Sequence, residues 1–216
     1  MARKFACTVG GVDGERIGLR ERKKQETRLA LSWAAIRLAV ERGLENVRVE
    51  DIAAEVGVSP RTFNNYFAGK GEAIAARHLE RARQIAVELR ARPASEPLWT
   101  AITNAALARF ALGQGAGERE PEQQWLDGVR LMVSEPALQG EFMKANAAAE
   151  AEFAAAVAER TGTDPARDLH PRLVAGAVGA AIAVATEHWL RAAEPTPMAP
   201  VLRDALRQLA AGLPVP

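Results

Sequence analysis

Apolar residues along this chain recur at intervals of three and four and nowhere alternate, so the pattern predicts helices throughout. Leu31, Ala34, Ala35, Leu38 and Ala39 form one stripe on a first helix expected from about Arg20 to Arg42, which Gly43 ends. Ile52, Ala53 and Val56 give a shorter stripe that stops at Gly57, as helices do at a C-terminal glycine. Val58 plugs the turn, Ser59 is a strong N-cap and Pro60 suits a first helical position, where its missing N–H costs nothing. The next helix buries Phe63 and Phe67, and a fourth, Gly71 to Ala91, turns Ile74, Leu79, Ile85 and Leu89 inward. The two prolines of ARPASEP (91–97) break the period and mark a domain boundary. Five more helical segments follow, at about 98–112, 122–134, 137–160, 170–193 and 198–211, parted by glycine- and proline-containing breakers. The expected fold class is all-α, with about nine helices. An N-terminal three-helix helix-turn-helix domain would precede a C-terminal helical domain.

The segment VEDIAAEVGVSPRTFNNYFAGK (49–70) reads as helix, tight turn and reader helix. With the phenylalanines inside, Arg61, Thr62, Asn64, Asn65 and Tyr66 remain for the outer face. Adjacent asparagines are poor helix formers, so they need another reason to be there. Base-edge recognition supplies one, asparagine suiting adenine and arginine suiting guanine in the major groove. Arg61, Asn64 and Asn65 are therefore expected on bases. Ser59, Thr62, Tyr66 and Lys70 are expected on phosphates, with Pro60 at the helix start and Arg48 within phosphate reach.

Charge sharpens this picture only when it is divided. The net charge of +1 splits into 18 Lys+Arg against 12 Asp+Glu in residues 1–92, a difference of +6, and 10 against 15 beyond, a difference of −5. A basic first module is what phosphate binding requires. Residues 1–19, punctuated by Gly10, Gly11, Gly14 and Gly18, are expected to be a flexible basic arm, with Arg20, Arg22, Lys23 and Lys24 continuing its charge. That charge has two readings, contact with phosphate or the minor groove and a merely soluble lead-in. The single cysteine, Cys7, excludes an intrachain disulfide and a cysteine-based zinc site. No stretch is expected to cross a bilayer and the first residues lack a signal-peptide block, so a soluble cytoplasmic protein is expected.

The stretch from about Leu19 to Ala91 resembles the DNA-binding domain of the Tet repressor family. The residues that carry the likeness are ERGLENV (41–47), EDIAAEVGVS (50–59) and RTFNNYF (61–67), followed by Lys70. One departure is Arg48, where the family usually caps the first motif helix with threonine. The resemblance implies a homodimer whose last two helices form a four-helix interface with their mates, and a C-terminal domain that encloses a small-molecule pocket. The run WLDGVRLMVSEPAL (125–138) is similar to a subfamily thought to receive acyl-CoA-like ligands, although a polyketide-like or other lipophilic effector suits these residues equally.

The DNA-binding domain is thus set at 20–91, with 71–91 as its connecting helix, and a ligand-binding and dimerisation domain at 97–213. Candidate ligand residues are Trp99, Ile102, Phe110, Trp125, Val129, Phe142, Met143, Phe153 and Ile182 as apolar walls, with Arg130, Asn146 and Glu150 as polar groups. At helical spacing each apolar one fits plain core packing as well. Candidate dimer residues are the small Gly176, Gly179 and Ala183, and Val201, Leu202 and Leu206 on the last helix. His78, His170 and His188 are scattered, and no nucleophile elbow or phosphate-cradling glycine loop occurs, so neither an enzyme nor a cofactor is expected. The expected partners are a palindromic DNA operator, a small effector that releases it, and a second copy of the chain. A ligand-independent architectural protein or activator with the same fold is the alternative.

Overall fold

Helices form where the apolar stripes put them. The computed structural model describes residues 12–111, 122–192 and 197–214, without the side chains of 12–17, 110–111 and 122–127. Its elements are α1 (Val12–Arg42), a 3-10 turn (Leu44–Asn46), α2 (Val49–Val56), α3 (Pro60–Asn64), α4 (Lys70–Ala91), α5 (Leu98–Ala111), α6 (Glu122–Ser134), a second 3-10 turn (Pro136–Leu138), α7 (Gln139–Thr161), α8 (Leu169–Leu190) and α9 (Met198–Ala210). No strand occurs among the described residues. Two expectations change. Helix α1 starts at Val12, so residues 12–19 are helical rather than a flexible arm; residues 1–11 lie outside the described residues. Helix α8 is, by length and composition, apolar enough to cross a bilayer, with a mean hydropathy of 1.5, contrary to the expectation that no segment is.

Two apolar cores share one helix. The first gathers Leu31, Ala35 and Leu38 of α1, Ile52 and Ala53 of α2, Phe63 and Phe67 around α3, and Ala73 and Ile74 of α4. The second gathers Ile85 and Leu89 of the same α4 with Ile102, Phe153, Val157, Val178, Trp189, Leu202 and Leu206. Helix α4 therefore runs from one core into the other. The buried hydroxyl of Ser32 donates to the Ala73 carbonyl and pins α1 to α4. The Arg77 guanidinium lies 4.0 Å from the Trp33 ring centroid across the same contact.

The covalent linker is not the sole bond between the two parts. Leu138 of the second 3-10 turn is buried in the first core, and Leu131 and Met132 of α6 pack against it. Helix α6 reaches α1 so closely at Gly128 that a Cβ there would stand 2.7 Å from Ile36 Cγ2, which only glycine permits. Elsewhere the junction is tied by polar groups. Arg90 of α4 makes a two-pronged contact with Glu159 of α7, at 2.7 and 3.0 Å. Arg160 donates to the carbonyls of Arg92, Pro93 and Glu96, which fixes the bend between α4 and α5.

Candidate nucleic-acid interface

The turn that presents α3 is closed by backbone geometry. Gly57 adopts φ +73°, and its N–H and that of Val58 donate to Ala54 and Ala53 carbonyls at 3.1 and 2.9 Å. This Schellman arrangement satisfies the end of α2 and reverses the chain. The start of α2 is held by half a cap. The Asp51 carboxylate accepts the Arg48 N–H at 2.9 Å, and Arg48, with no acceptor of its own, leaves its side chain exposed. Asp51 thus satisfies the Arg48 N–H, while the first N–H groups of α2 gain no side-chain acceptor from Arg48.

Ser59 caps α3 as its residue type predicts, its Oγ accepting the Thr62 N–H at 3.1 Å and lying 2.9 Å from the Thr62 hydroxyl. Phe63 and Phe67 are buried, with ring centroids 5.6 Å apart. Holding that side inward leaves Arg61, Asn64 and Asn65, at i, i+3 and i+4, exposed on the other. Pro60 is exposed beside them, while Tyr66 is half-buried against the domain core. The helix is shorter than expected. Asn65 closes it and Tyr66 lies in the following turn.

Lys70 has a further duty. Its Nζ donates to the carbonyls of Leu44 and Val47 at 2.6 and 2.8 Å, tying the start of α4 to the turn before α2. Two of its three N–H donors are thus engaged within the domain.

The expected ligand residues do not converge on one site. Ile102 and Phe153 are buried in the second core, with Trp99 and Ile182 packed against it. Phe142 packs at a tilt against His78 of α4, centroids 4.6 Å apart, and the Asn146 side chain hydrogen-bonds the same imidazole. Val129 is buried, whereas Arg130, Met143 and Glu150 are exposed, Met143 to 72%. The side chains of Phe110 and Trp125 lie outside the described residues. A concavity of about 280 Å³, open to solvent, occurs instead where α1, α4 and α7 meet, with Arg28, Glu72, Leu79, Glu141 and Lys144 among its walls. None of these was expected, since the topology alone joins three separate sequence regions there.

The expected assembly residues divide. Leu202 and Leu206 are fully buried in their own second core, with Val201 packed against it, so these two leucines hold the protomer together. Ala183 is exposed, and Gly176 has open space where a side chain would go. Gly179 is half-buried, its would-be Cβ 3.8 Å from a Glu150 oxygen. Leu169, Leu173, Ala180 and Val184, exposed on the same helix, give α8 an apolar outer face.

Comparison with known proteins matches this architecture. The sequence pattern described as "Bacterial regulatory proteins, tetR family" matches residues 33–76, and that described as "MftR C-terminal domain" matches 96–214. The HTH-type transcriptional regulator TcmR of Streptomyces glaucescens is 32% identical over 178 residues, which cover 80% of this chain and 76% of TcmR. Among solved structures, the fatty acid degradation regulator FadR of Bacillus halodurans shares the fold with a TM-score of 0.56 at 14% identity, over 87% of this chain and 96% of that one. Thermus thermophilus FadR, a TetR-family repressor in complex with lauroyl-CoA, does so with a TM-score of 0.55 at 18% identity, over 88% and 96%.

Proposed function

The chain belongs to the TetR family of transcriptional regulators, and from that premise we propose that it is a homodimeric repressor whose α3 helices read a palindromic operator and let go when a lipophilic effector binds the C-terminal domain. The observation that carries the DNA-reading part is the trio Arg61, Asn64 and Asn65. These three are exposed together along α3 and its closing residue, which the Ser59 cap and two buried phenylalanines hold in place. Such groups at the mouth of a helix-turn-helix have the donors and acceptors that base edges demand. In this reading the exposed Arg48 and the third N–H of Lys70 contact phosphates.

Dimerisation is supported by α8. Its apolar stretch is only 28% buried in the protomer, and Leu169, Leu173 and Val184 are 73, 66 and 63% exposed. Apolar area of this kind calls for a partner. A second copy also supplies the second reader helix that a five-residue element needs for affinity. The effector class is supported by the lauroyl-CoA bound to Thermus FadR, a protein of the same fold. Acyl-CoA thioesters are therefore the first candidates. The test is to sequence duplexes that the purified protein retains from a random pool, then titrate the winner. Asn65→Ala should weaken it by about 1–3 kcal/mol and relax the preference at one base position. Unchanged affinity and preference would reject α3 as the reader.

A further inference from the structure

Helix α1 extends beyond the fold it belongs to. Residues 18–26 are all exposed, and from Thr27 onward α1 begins to pack against its domain. Arg28 is anchored beside the end of the reader helix. Its Nη1 donates to the Tyr66 carbonyl at 3.4 Å, and its guanidinium lies 4.7 Å from the Phe67 ring centroid. The exposed part of α1 therefore leaves the domain next to the reader helix. We propose that Arg20, Lys23 and Lys24 on this extension grip DNA phosphates flanking the base pairs that α3 reads, so that the DNA-binding surface has a second, sequence-independent part. This rests on the assignment of α3 as reader.

Three observations carry it. At the helical repeat, Arg20, Lys23 and Lys24 fall within an arc of about 100°, and Glu21 and Glu26 fall outside it. Their charges make no ion pair with any described carboxylate, whereas Arg37, Arg83, Arg90 and Arg92 are matched to Glu55, Glu152, Glu159 and Glu96. Unspent cations continuous with a reading surface are what a phosphate backbone requires. The helical state also decides the groove. A helix roughly 10–12 Å across with its side chains cannot enter a minor groove about 6 Å wide. The contact is thus with the backbone from outside, and not the minor-groove insertion open to a flexible arm.

The test uses the full-length protein and a duplex selected by it from a random pool, alongside a random duplex of equal length. In R20Q/K23Q/K24Q the glutamines keep helix propensity and touch no packed residue, so the thermal midpoint should not move. Affinity should fall at least tenfold on both duplexes by the same factor. The slope of log affinity against log salt should flatten by about 0.9 for each phosphate that the variant no longer neutralises. Trimming flanking base pairs should weaken the wild type and leave the variant unaffected. An unchanged slope, or a loss confined to the selected duplex, would overturn the proposal. N64A/N65A judges the reader separately. It should erase the preference for the selected duplex with the slope intact, and if the preference survives, α3 is not the reader while the slope of the triple variant still decides the extension.

Discussion

Leu206 and Ala180 lie on neighbouring helices of the same domain and answer different questions when substituted. Leu206 is fully buried in the second core, so Leu206→Ala should cost about 2–5 kcal/mol in chemical denaturation, through the apolar burial removed and the cavity left behind. Ala180 is exposed on the outer face of α8, and Ala180→Arg should leave the protomer fold in place. If the two copies meet on α8, light scattering at micromolar concentration should then find a monomer; a dimer would place the interface elsewhere. The amphipathic stripe of α9 was legible in the sequence, but its destination was not. Met198, Leu202 and Leu206 satisfy one apolar period whether the covering surface belongs to the same chain or to another. Helix α3 was more legible because Gly57, Ser59, Pro60 and the two phenylalanines each have a local physical duty that fixes their orientation. Lys70 shows the limit of that reading. Nothing in its spacing reveals carbonyls some 25 residues away waiting for its ammonium group.

Between elements, the coupling of the two domains depends on contacts that periodicity does not display. Helix α4 is the covalent route, and α6 with its following turn is a packed one, through Gly128 against Ile36 and Leu138 within the first core. Gly128→Ala places a methyl carbon 2.7 Å from a buried branched side chain, so it should destabilise the protein by about 1–3 kcal/mol unless α6 lifts from α1. Paired with Ile36→Ala, which removes the Cγ2 that the new methyl would meet, the loss should be less than additive, and strict additivity in a denaturation cycle would mean the two do not meet. The α4–α7 contact carries a pH signature as well. Burial holds the His78 imidazole below its ordinary 6.5; the Asn146 hydrogen bond opposes this and the nearby Arg81 charge adds to it. Unfolded His78 thus takes its proton at higher pH than folded His78. The stability it contributes is full above about pH 6.5 and is lost as pH falls through the folded value. His78→Phe should flatten the fall in thermal midpoint between pH 7 and pH 5, well above the range where the lowered carboxylates of Glu159 and Asp204 begin to titrate.

For the whole molecule, the proposed function requires two protomers to hold their α3 helices one DNA turn apart, and a ligand to spoil that spacing. The coarse plan, an all-helical chain with a basic first part and an acidic second part, followed from periodicity and charge. The candidate ligand residues could not be separated from the core in that way, because apolar side chains at helical spacing fit a solid core and a pocket wall alike. Phe153 shows the difficulty. At 6% exposure it is a core residue, and truncating it would test folding before it tested an effector. The clean probe is the coupling itself. A ligand releases DNA only by its differential affinity for the two states, and a hundredfold preference for the DNA-incompetent one corresponds to about 2.7 kcal/mol. Acyl-CoA thioesters of increasing chain length should therefore raise the thermal midpoint of the free protein and dissociate the operator complex in the same rank order. Gly128→Ala offers a second reading of the same event. If the strain of α6 against α1 helps to carry the signal, this variant should bind the thioesters normally in the thermal assay and release DNA at a shifted concentration. Thioesters that stabilise the free protein yet leave the operator complex intact in a mobility-shift titration would show that DNA binding is not governed by that ligand class.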